Sequence, residues 1–551
     1  MRLKAAAIAF LALGTAPFAV ALDPYPVTGV SVDPKAGSVP LRQNINDLQS
    51  AGGAPWDLYI RALSAMQAAN ERDPLSYFQI EGIHGRPFVE WNGTGGQQST
   101  GWAGYCPHGE PLFASWHRPY VCLFEQVLVS NARQIASKYP QKYRQQYEQA
   151  ANNLRAPYWD WAADSTVPPA TVPTTVEVNF PNGQGLQRRS TPNPLYTYKI
   201  PPAVLNGEFG TFDSEKRPET IRCPAPGTYP ATANSNLASR PYKQWIYDAF
   251  TRATNFTDFA YMSNNVVSLE QIHNGIHWDA ACGQQFVSPD LAAFDPLFML
   301  HHANVDRLWA YWQALRPDQD IFNYSYKGLS RFATPGGTLI SPRSPLTPFF
   351  APHRVPLTTE SVRSIKSFGY SYQELEYWKK SPAQMKQDAT VLINRLYSTG
   401  SASRRSSPRG QPPQVRRYFA QVHLDRAEVE KPCQVNLYLD GNKAGSLVVM
   451  NQPADGVLTA GLPLDEVIQQ SDMHAMSANE TVNAINGTLT VVIVKADGST
   501  IDITKVPSLK VDLEDVMVTK PVADDQFPKF GASRLRNVGV KHRHSLIETV
   551  I

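Results

Sequence analysis

Two groups of histidines are the residues of this sequence whose types and spacing could bind metal ions. Residues four apart on a helix share a face, so His273 and His277 can direct their imidazoles at one ion. Further along, His301 and His302 lie on a predicted apolar helix, and one of them completes a set of three. A second set of three comes earlier in the chain and consists of His84, His108 and His117.

The donor set favours copper over other metals. Six imidazoles with no obvious bridging carboxylate are poor ligands for magnesium or calcium, which prefer oxygen. Binuclear zinc hydrolases usually add carboxylates, whereas imidazole triplets suit copper, which also leads the affinity series. Two coppers can bind O₂ and change valence, which zinc cannot do. The residues therefore predict a dicopper centre that handles molecular oxygen.

The segments around these histidines resemble the copper-binding signatures of tyrosinases. More closely, the chain is similar to secreted ascomycete fungal tyrosinases, which are polyphenol oxidases with a C-terminal shielding domain. The copper signatures are specific to the type-3 copper group, and the distinction between its members depends on finer features. The segments that carry the resemblance are Trp116–Tyr120, Asp295–Arg307, Leu41–Asn44, Arg155–Trp161 and Tyr370-Ser371-Tyr372.

The resemblance implies that the cofactor is a pair of copper ions, A and B, and that each ion is bound by three histidines. Copper A is bound by His84, His108 and His117, and copper B by His273, His277 and His302, with His301 as the alternative to His302. In this family a cysteine forms a thioether with the second copper-A histidine, and Cys106-Pro107-His108 matches that spacing. A free, buried Cys106 is the alternative.

Two residues beside the copper-B histidines are candidates for catalysis. In tyrosinases the residues that match Glu270 and Asn274 are proposed to hold a water that takes the phenol proton. A base is needed because a phenol with a pKa of about 10 is mostly neutral at working pH, and phenolate is the better copper ligand. Ordinary polar positions on a helix surface are the alternative for both residues.

Two further residues are predicted to lie close to His302 on its helix. Asp306 follows His302 by one turn and could accept a hydrogen bond from a ligand imidazole, while an ion pair with a basic neighbour is the competing interpretation. Phe298 precedes His302 by four residues and so falls on the same face. It is interpreted as a pocket wall, with plain core packing as the alternative.

Composition divides the chain into four segments. We predict a signal peptide (1–21), a catalytic domain (22–400), a linker or processing region (401–417) and a β-rich C-terminal shielding domain with a basic tail (418–551). The catalytic domain is expected to be loop-rich and mainly α, with a four-helix bundle around the dicopper site. Apolar periodicity predicts helices at Trp56–Ala69, Tyr120–Tyr139, Lys142–Leu154 and Val305–Leu315. Alternating apolar residues predict strands at Val435–Leu439, Leu447–Met450, Leu489–Val494 and Leu509–Leu513.

The N-terminal residues predict export from the cell. A basic start, the apolar stretch Ala5–Leu13 and the small residues Ala19-Val20-Ala21 are typical of a cleaved signal. A membrane anchor is the alternative, but the stretch is short and is interrupted by Gly14 and Pro17. We therefore expect a secreted protein. Five glycosylation sequons agree with that route, at Asn92, Asn255, Asn323, Asn479 and Asn486.

Charge and cysteine content exclude other classes of protein. The net charge is +3 and is spread along the chain, so nucleic acid is not an expected partner. After the signal, no continuous apolar run has spanning length, so a membrane is not expected either. Five cysteines are too few for a disulfide scaffold. With Cys106 in the implied thioether, Cys223–Cys282 is a plausible disulfide, and Cys122 and Cys433 would stay free.

We therefore expect a dicopper oxidase whose substrates are small phenols and O₂. It would hydroxylate monophenols at the ortho position and oxidise catechols to o-quinones, which form melanin-type pigment. The resemblance implies a latent proenzyme, which a protease activates by cutting the linker that contains Arg404-Arg405. A clean cut is expected to raise activity several-fold. A catechol oxidase without hydroxylase activity and a type-3 copper protein that only binds dioxygen are the alternatives, and the oligomeric state is open.

Overall fold

The computed structural model describes residues 23–33, 35, 37–262, 265–399, 412–539 and 541–542. The predicted signal peptide and the dibasic pair of the linker lie outside the described residues. The helices are α1 (Ile45–Ala51), α2 (Gly53–Gln67), α3 (Tyr77–Gly82), α4 (Leu112–Ala136), α5 (Gln141–Asn153), α6 (Pro202–Leu205), α7 (Ala231–Ala238), α8 (Tyr242–Arg252), α9 (Phe256–Ala260), α10 (Leu269–Ala280), α11 (Leu297–Leu315), α12 (Thr359–Val362), α13 (Pro382–Tyr397), α14 (Asp465–Gln469) and α15 (Ala478–Thr488).

The strands fall into short hairpins among the helices and two larger sheets near the C-terminus. The hairpin strands are β1 (Thr175–Asn182), β2 (Gly185–Pro192), β3 (Tyr326–Lys327), β4 (Leu339–Ile340), β5 (Pro345–Ala351) and β6 (Val355–Thr358). The strands of the two sheets are β7 (Gln414–Asp425), β8 (Cys433–Leu439), β9 (Asn442–Val449), β10 (Val457–Pro463), β11 (Thr490–Lys495), β12 (Thr500–Ile501), β13 (Lys510–Thr519), β14 (Lys529–Val538) and β15 (Lys541–His542).

Helices α4, α10 and α11 carry most of the predicted ligands and meet at the centre of the helical region. Helix α4 packs against α2 on one side and α11 on another. Phe113 of α4 contacts His273 of α10 with ring centroids 4.9 Å apart, and His273 in turn contacts His302 of α11 at 4.9 Å. Ser268 caps the start of α10 by accepting a hydrogen bond from the backbone N–H of Gln271.

Helix α4 differs from its prediction at the N-terminal end. The sequence prediction starts the helix at Tyr120, directly after Pro119, because proline disrupts a helix interior. The structure starts it at Leu112 and continues through Pro119. Every residue from Leu112 to Glu125 is buried, so tertiary packing compensates for the backbone hydrogen bond that Pro119 cannot make. His117 therefore lies inside the helix rather than at its entrance.

The C-terminal region consists of two packed sheets. One sheet has the order β10-β7-β13-β14 and is antiparallel throughout, and the other has the order β12-β11-β8-β9 with β15 beside β11. Gly445 of β9 lies directly against Leu462 of β10, which brings the sheets face to face. Strand β7 starts at Gln414, slightly before the predicted domain boundary at 418. The predicted fold class, a helical catalytic region followed by a β-rich region, is confirmed.

The disulfide predicted from the sequence is present. Cys223 and Cys282 form a disulfide that joins a loop to the residues after α10. Cys106, Cys122 and Cys433 are buried and have no disulfide partner among the described residues. Of the helices that the structure describes, none combines the length and apolar character that crossing a membrane requires.

Candidate dicopper site

The two predicted histidine groups come together in the helical core. His84 follows α3, His108 lies in the loop before α4, and His117 lies on α4, with ring centroids 5.3 to 5.7 Å apart. The groups also touch each other, because the rings of His117 and His302 stack with centroids 4.3 Å apart. All seven histidines are buried.

Hydrogen bonds at Nδ1 orient several of these rings. Nδ1 of His84 is 3.0 Å from the backbone oxygen of Pro289, and Nδ1 of His117 is 2.7 Å from that of Phe113. Nδ1 of His277 is likewise 2.7 Å from the backbone oxygen of Phe286. A carbonyl oxygen only accepts, so each Nδ1 carries the proton and donates, which leaves the Nε2 lone pair free to bind a metal.

The second group has the geometry of one metal-binding site. Nε2 of His273 is 2.9 Å from Nε2 of His277 and 3.2 Å from Nε2 of His302. His273 and His277 both have an oxygen acceptor at Nδ1, so their Nε2 lone pairs face each other without a proton between them. Nitrogens about 3 Å from one another match ligands that each lie about 2 Å from a shared ion. Lone pairs that face each other repel, and a bound cation would remove this repulsion by accepting them. The three histidines therefore fit the predicted metal.

His301 and His302 differ in how they face His273. The ring of His301 lies parallel to that of His273, at 15° with centroids 4.8 Å apart. The ring of His302 is inclined at 68°. Lone pairs of stacked parallel rings do not converge on one point, although the nitrogens of His301 are close enough to belong to the cluster. The geometry therefore favours His302 as the third ligand.

The three rings of the first group, His84, His108 and His117, are oriented by different kinds of contact. The Nε2 atoms of His84 and His117 are buried and have no hydrogen-bond partner among the described residues. Nδ1 of His108 faces the Sγ atom of Cys106 at 3.5 Å rather than a backbone oxygen. Cys106 is thus adjacent to the imidazole with which the predicted thioether would form.

Burial keeps all of these imidazoles neutral. Desolvation lowers the pKa of every histidine in the two groups, and for His108 the pKa falls to about 4. Neighbouring histidines lower most of these pKa values further, because two imidazolium ions so close together would repel. Neutral imidazole is the form that binds a metal.

Glu270 lies against the loop that carries His108. Its Oε1 accepts a hydrogen bond from the backbone N–H of Gly109 at 2.6 Å, and its buried Oε2 has no partner in the described part of the chain. Burial raises the pKa of Glu270 to about 8. Asn274 is turned toward His273, whose Nδ1 is 3.0 Å from its side-chain oxygen. Asn274 therefore orients a predicted ligand directly, a contact that the sequence did not indicate.

Asp306 forms ion pairs, and in the described part of the chain it has no hydrogen bond to an imidazole. Its carboxylate accepts hydrogen bonds from Arg42 at 3.0 Å and from Arg118 at 2.6 Å, as well as from the hydroxyls of Tyr370 and Tyr372 at 2.7 Å. Burial alone would raise the pKa of Asp306, but the two guanidinium groups outweigh it and lower the pKa. The prediction that Asp306 orients a ligand ring is replaced by its alternative, the ion pair.

Phe298 contacts both histidine groups. It is completely buried, and its ring centroid lies 4.2 Å from that of His302 and 4.9 Å from that of His84. It therefore packs inside the site against both groups, which agrees with the core-packing interpretation.

Residues of the C-terminal region, on β9 and in the segment after it, lie against this site, and sequence reasoning did not identify them. Pro453 lies so close to Gly109 that a Cβ atom there would approach its ring to 2.6 Å, and Gly109 also has a positive φ of 69°. Val448 and Met450 pack against Trp278, which follows His277, and against Val287, which follows Phe286. The end of β9 and the segment after it therefore contact the loop that carries His108 and the helix end that carries His277.

Comparisons with known proteins identify the family of this chain. Residues 74–315 match the common central domain of tyrosinase. Tyrosinase from Podospora anserina is 35% identical over 393 residues, which cover 66% of this chain and 67% of that protein. Tyrosinase from Neurospora crassa is 33% identical over 412 residues, covering 68% of this chain and 58% of that protein.

A structure of latent and active mushroom tyrosinase has the same fold. It superposes with a TM-score of 0.80 at 24% identity and covers 95% of this chain and 100% of that chain. The helical core and its two histidine groups define a type-3 copper protein, whose cofactor is a pair of copper ions. The chain belongs to the tyrosinase family.

Proposed function

We propose that this protein uses O₂ to hydroxylate monophenols at the ortho position and to oxidise catechols to o-quinones. The observation that supports this most directly is the convergence of three Nε2 atoms, from His273, His277 and His302, beside a second histidine triad. We assign copper A to His84, His108 and His117, and copper B to the converging three. When bound, the copper pair supplies the reversible electron transfer that O₂ reduction requires.

The chain's own residues orient the ligands and accept a proton. Nδ1 hydrogen bonds fix the ligand rings, and the buried walls exclude water. Oε2 of Glu270 is the acceptor for the phenol proton, because Oε1 is already occupied by Gly109. With a pKa of about 8, Glu270 is mostly protonated at neutral pH while the site is covered. Hydration of the uncovered site would lower this pKa and let the carboxylate act as a base.

Metal analysis beside turnover assays tests this activity. We expect two coppers per chain and O₂ uptake with both tyrosine and a catechol once the C-terminal region is removed. Uptake with the catechol alone would identify a catechol oxidase. Two coppers without turnover of either substrate would identify a dioxygen-binding protein, and fewer than two coppers would refute the assignment.

The full-length chain is proposed to be a latent proenzyme. The contacts of Pro453 with Gly109, and of Val448 and Met450 with Trp278, support this because they occupy the approach to both copper positions. An activating protease would cut the linker between α13 and β7. Cleavage there should raise catechol oxidation several-fold once the C-terminal region dissociates. Replacing Arg404 and Arg405 by alanine should prevent activation by a protease specific for dibasic pairs, because the remaining arginine of this linker, Arg409, is single. Turnover that stays unchanged after clean cleavage, even in dilute protein from which the C-terminal region can dissociate, would contradict latency.

A thioether between Cys106 and His108 is part of the same proposal. The 3.5 Å approach of Sγ to the imidazole supports it, and the bond would hold a ring that lacks a backbone acceptor at Nδ1. Forming the bond removes the thiol hydrogen and one ring hydrogen in a two-electron oxidation, for which O₂ is the oxidant. Peptide mapping of copper-loaded protein exposed to O₂ should therefore find residues 106 and 108 joined and two hydrogens lighter than the free peptide. Recovery of Cys106 as a free thiol in active enzyme would exclude the crosslink.

Export as a glycoprotein is proposed from the N-terminal signal and the sequons. The amide nitrogen of Asn92 donates to the backbone oxygens of Tyr25 and Pro348, and that of Asn255 donates to Asp258. These two sites are therefore expected to be empty. Glycans are expected on the exposed asparagines, which are Asn323, Asn479 and Asn486. Glycopeptide mass mapping of the secreted protein checks this pattern, and a glycan on Asn92 would contradict it.

A further inference from the structure

His108 is a predicted ligand that lies outside any helix, so its position depends on tertiary contacts. It lies in the segment 104–110, called here the His108 loop, which contains no helix or strand. Its Nδ1 faces Cys106 rather than a backbone oxygen. The ligands on α4, α10 and α11 are instead held by helical backbones. Some other contact must therefore keep this loop in place.

A buried ion pair lies two residues after His108. Glu110 and Arg331 pair through Oε1 and Nη1, with side chains only 4% and 7% exposed. The other carboxylate oxygen, Oε2, accepts a hydrogen bond from the backbone N–H of Leu329 at 3.3 Å. Removing one partner of a buried pair leaves an uncompensated charge, so the two side chains are strongly held together.

The segment that carries Arg331 also contacts the other end of the His108 loop. Residues 328–332 are called here the buttress segment. The backbone N–H of Phe332 donates to the backbone oxygen of Gly104 at 2.8 Å, and its ring stacks on that of Tyr105 with centroids 4.3 Å apart. The buttress segment therefore holds the loop at both ends, with His108 between them.

The geometry points to Glu110 and Arg331 as positioning residues that hold the imidazole of His108 at copper A. This inference rests on the proposed copper site. The pair also affects the proposed base, because Gly109 between the two residues donates its N–H to Glu270. Loss of the ion pair would free the loop to move and would displace His108 and the Glu270 contact together.

Copper retention in three full-length variants tests this role. Arg331→Met removes the charge at similar length, Glu110→Gln keeps the shape and an acceptor, and Arg331→Lys restores a charge. After dialysis against a graded copper chelator, Arg331→Met and Glu110→Gln should lose one of the two coppers at about 10–100-fold lower chelator concentration than wild type, as is typical for partners that orient a ligand. Arg331→Lys should recover part of this loss.

Arg217→Met is the matched control for a purely structural effect. Arg217 pairs with the buried carboxylate of Asp213 and has no described contact with the His108 loop. Its variant should unfold at a lower temperature but keep both coppers. Wild-type copper retention in Arg331→Met and Glu110→Gln would overturn the inference, as would equal copper loss in Arg217→Met. A wild-type chain that lacks two coppers would instead refute the proposed function.

Discussion

At the scale of single residues, ring orientation decides which of the adjacent histidines completes copper B. The ring of His301 stacks parallel to His273, whereas that of His302 is inclined and brings Nε2 within 3.2 Å. We predict that His302→Asn binds one copper per chain and that His301→Asn still binds two. Copper analysis of both purified variants checks this. The reverse result would assign His301 as the ligand.

The buried carboxyl of Glu270 predicts a pH dependence of stability in the copper-free protein. Burial raises its folded pKa from 4.5 to about 8, so its contribution to stability is fully present below pH 4.5 and is lost as the pH rises through about 8. Glu270→Gln has no such group. The unfolding temperature of apo Glu270→Gln should therefore rise relative to that of apo wild type as the pH increases across this range. A constant difference would show that Glu270 titrates normally.

The chemistry of individual residues was largely predictable from the sequence, whereas their contacts were not. Histidine spacing was sufficient to predict both groups, because residues such as His273 and His277 share a helix face. The acceptor that orients each ring is often a backbone oxygen, such as that of Pro289, 205 positions from His84. Backbone carbonyls have no sequence signature. The ion pairs of Asp306 depend likewise on Arg42, which is distant in the chain.

At the scale of elements, a buried ion pair links the helices that carry ligands of the two copper groups. Arg118 of α4 follows His117, and Asp306 of α11 lies one turn after His302. Both side chains are almost completely buried. We predict that Asp306→Asn lowers the free energy of unfolding by about 3–5 kcal/mol, because it leaves the charge of Arg118 uncompensated. Chemical denaturation of the apo protein measures this change.

An exposed ion pair provides the control for that measurement. Arg343 and Glu360 pair with side chains that are 82% and 45% exposed. Glu360→Gln should change the free energy of unfolding by less than about 1 kcal/mol, because water screens such pairs. A similar small effect of Asp306→Asn would mean that the link between α4 and α11 does not contribute to stability.

The ends of helices and strands were predictable where the spacing of apolar residues alone determined the element. The alternating residues from Val435 to Leu439 lie within β8, and the helix predicted at Lys142–Leu154 nearly coincides with α5. The predicted start of α4 was wrong, because burial of the residues around Pro119 keeps them helical although proline disrupts a helix interior. The buttress segment could not be predicted, since its function depends on contacts with a loop more than 200 residues away.

At the scale of the whole molecule, charged contacts join the C-terminal sheets to the helical core. Arg417 of β7 binds both carboxylate oxygens of Asp248 on α8 at 2.6 and 2.9 Å. Glu514 of β13 binds Arg252 at the end of the same helix at 2.9 Å. These carboxylates and Arg252 are nearly buried. Cutting the linker removes none of these contacts. A cleaved C-terminal region should therefore stay bound to the helical core in concentrated protein.

This attachment predicts that activation depends on protein concentration. In the intact chain the linker keeps the C-terminal region at a high effective concentration, whereas after cleavage its rebinding is bimolecular. The specific activity of cleaved protein should therefore rise on dilution, while that of intact protein stays constant. Asp248→Asn should shift the rise to higher concentration, because Arg417 loses its partner across the boundary but keeps Asp465. Activity assays over a dilution series measure this, and cleaved protein whose specific activity is high and independent of concentration would show that the linker alone holds the C-terminal region in place.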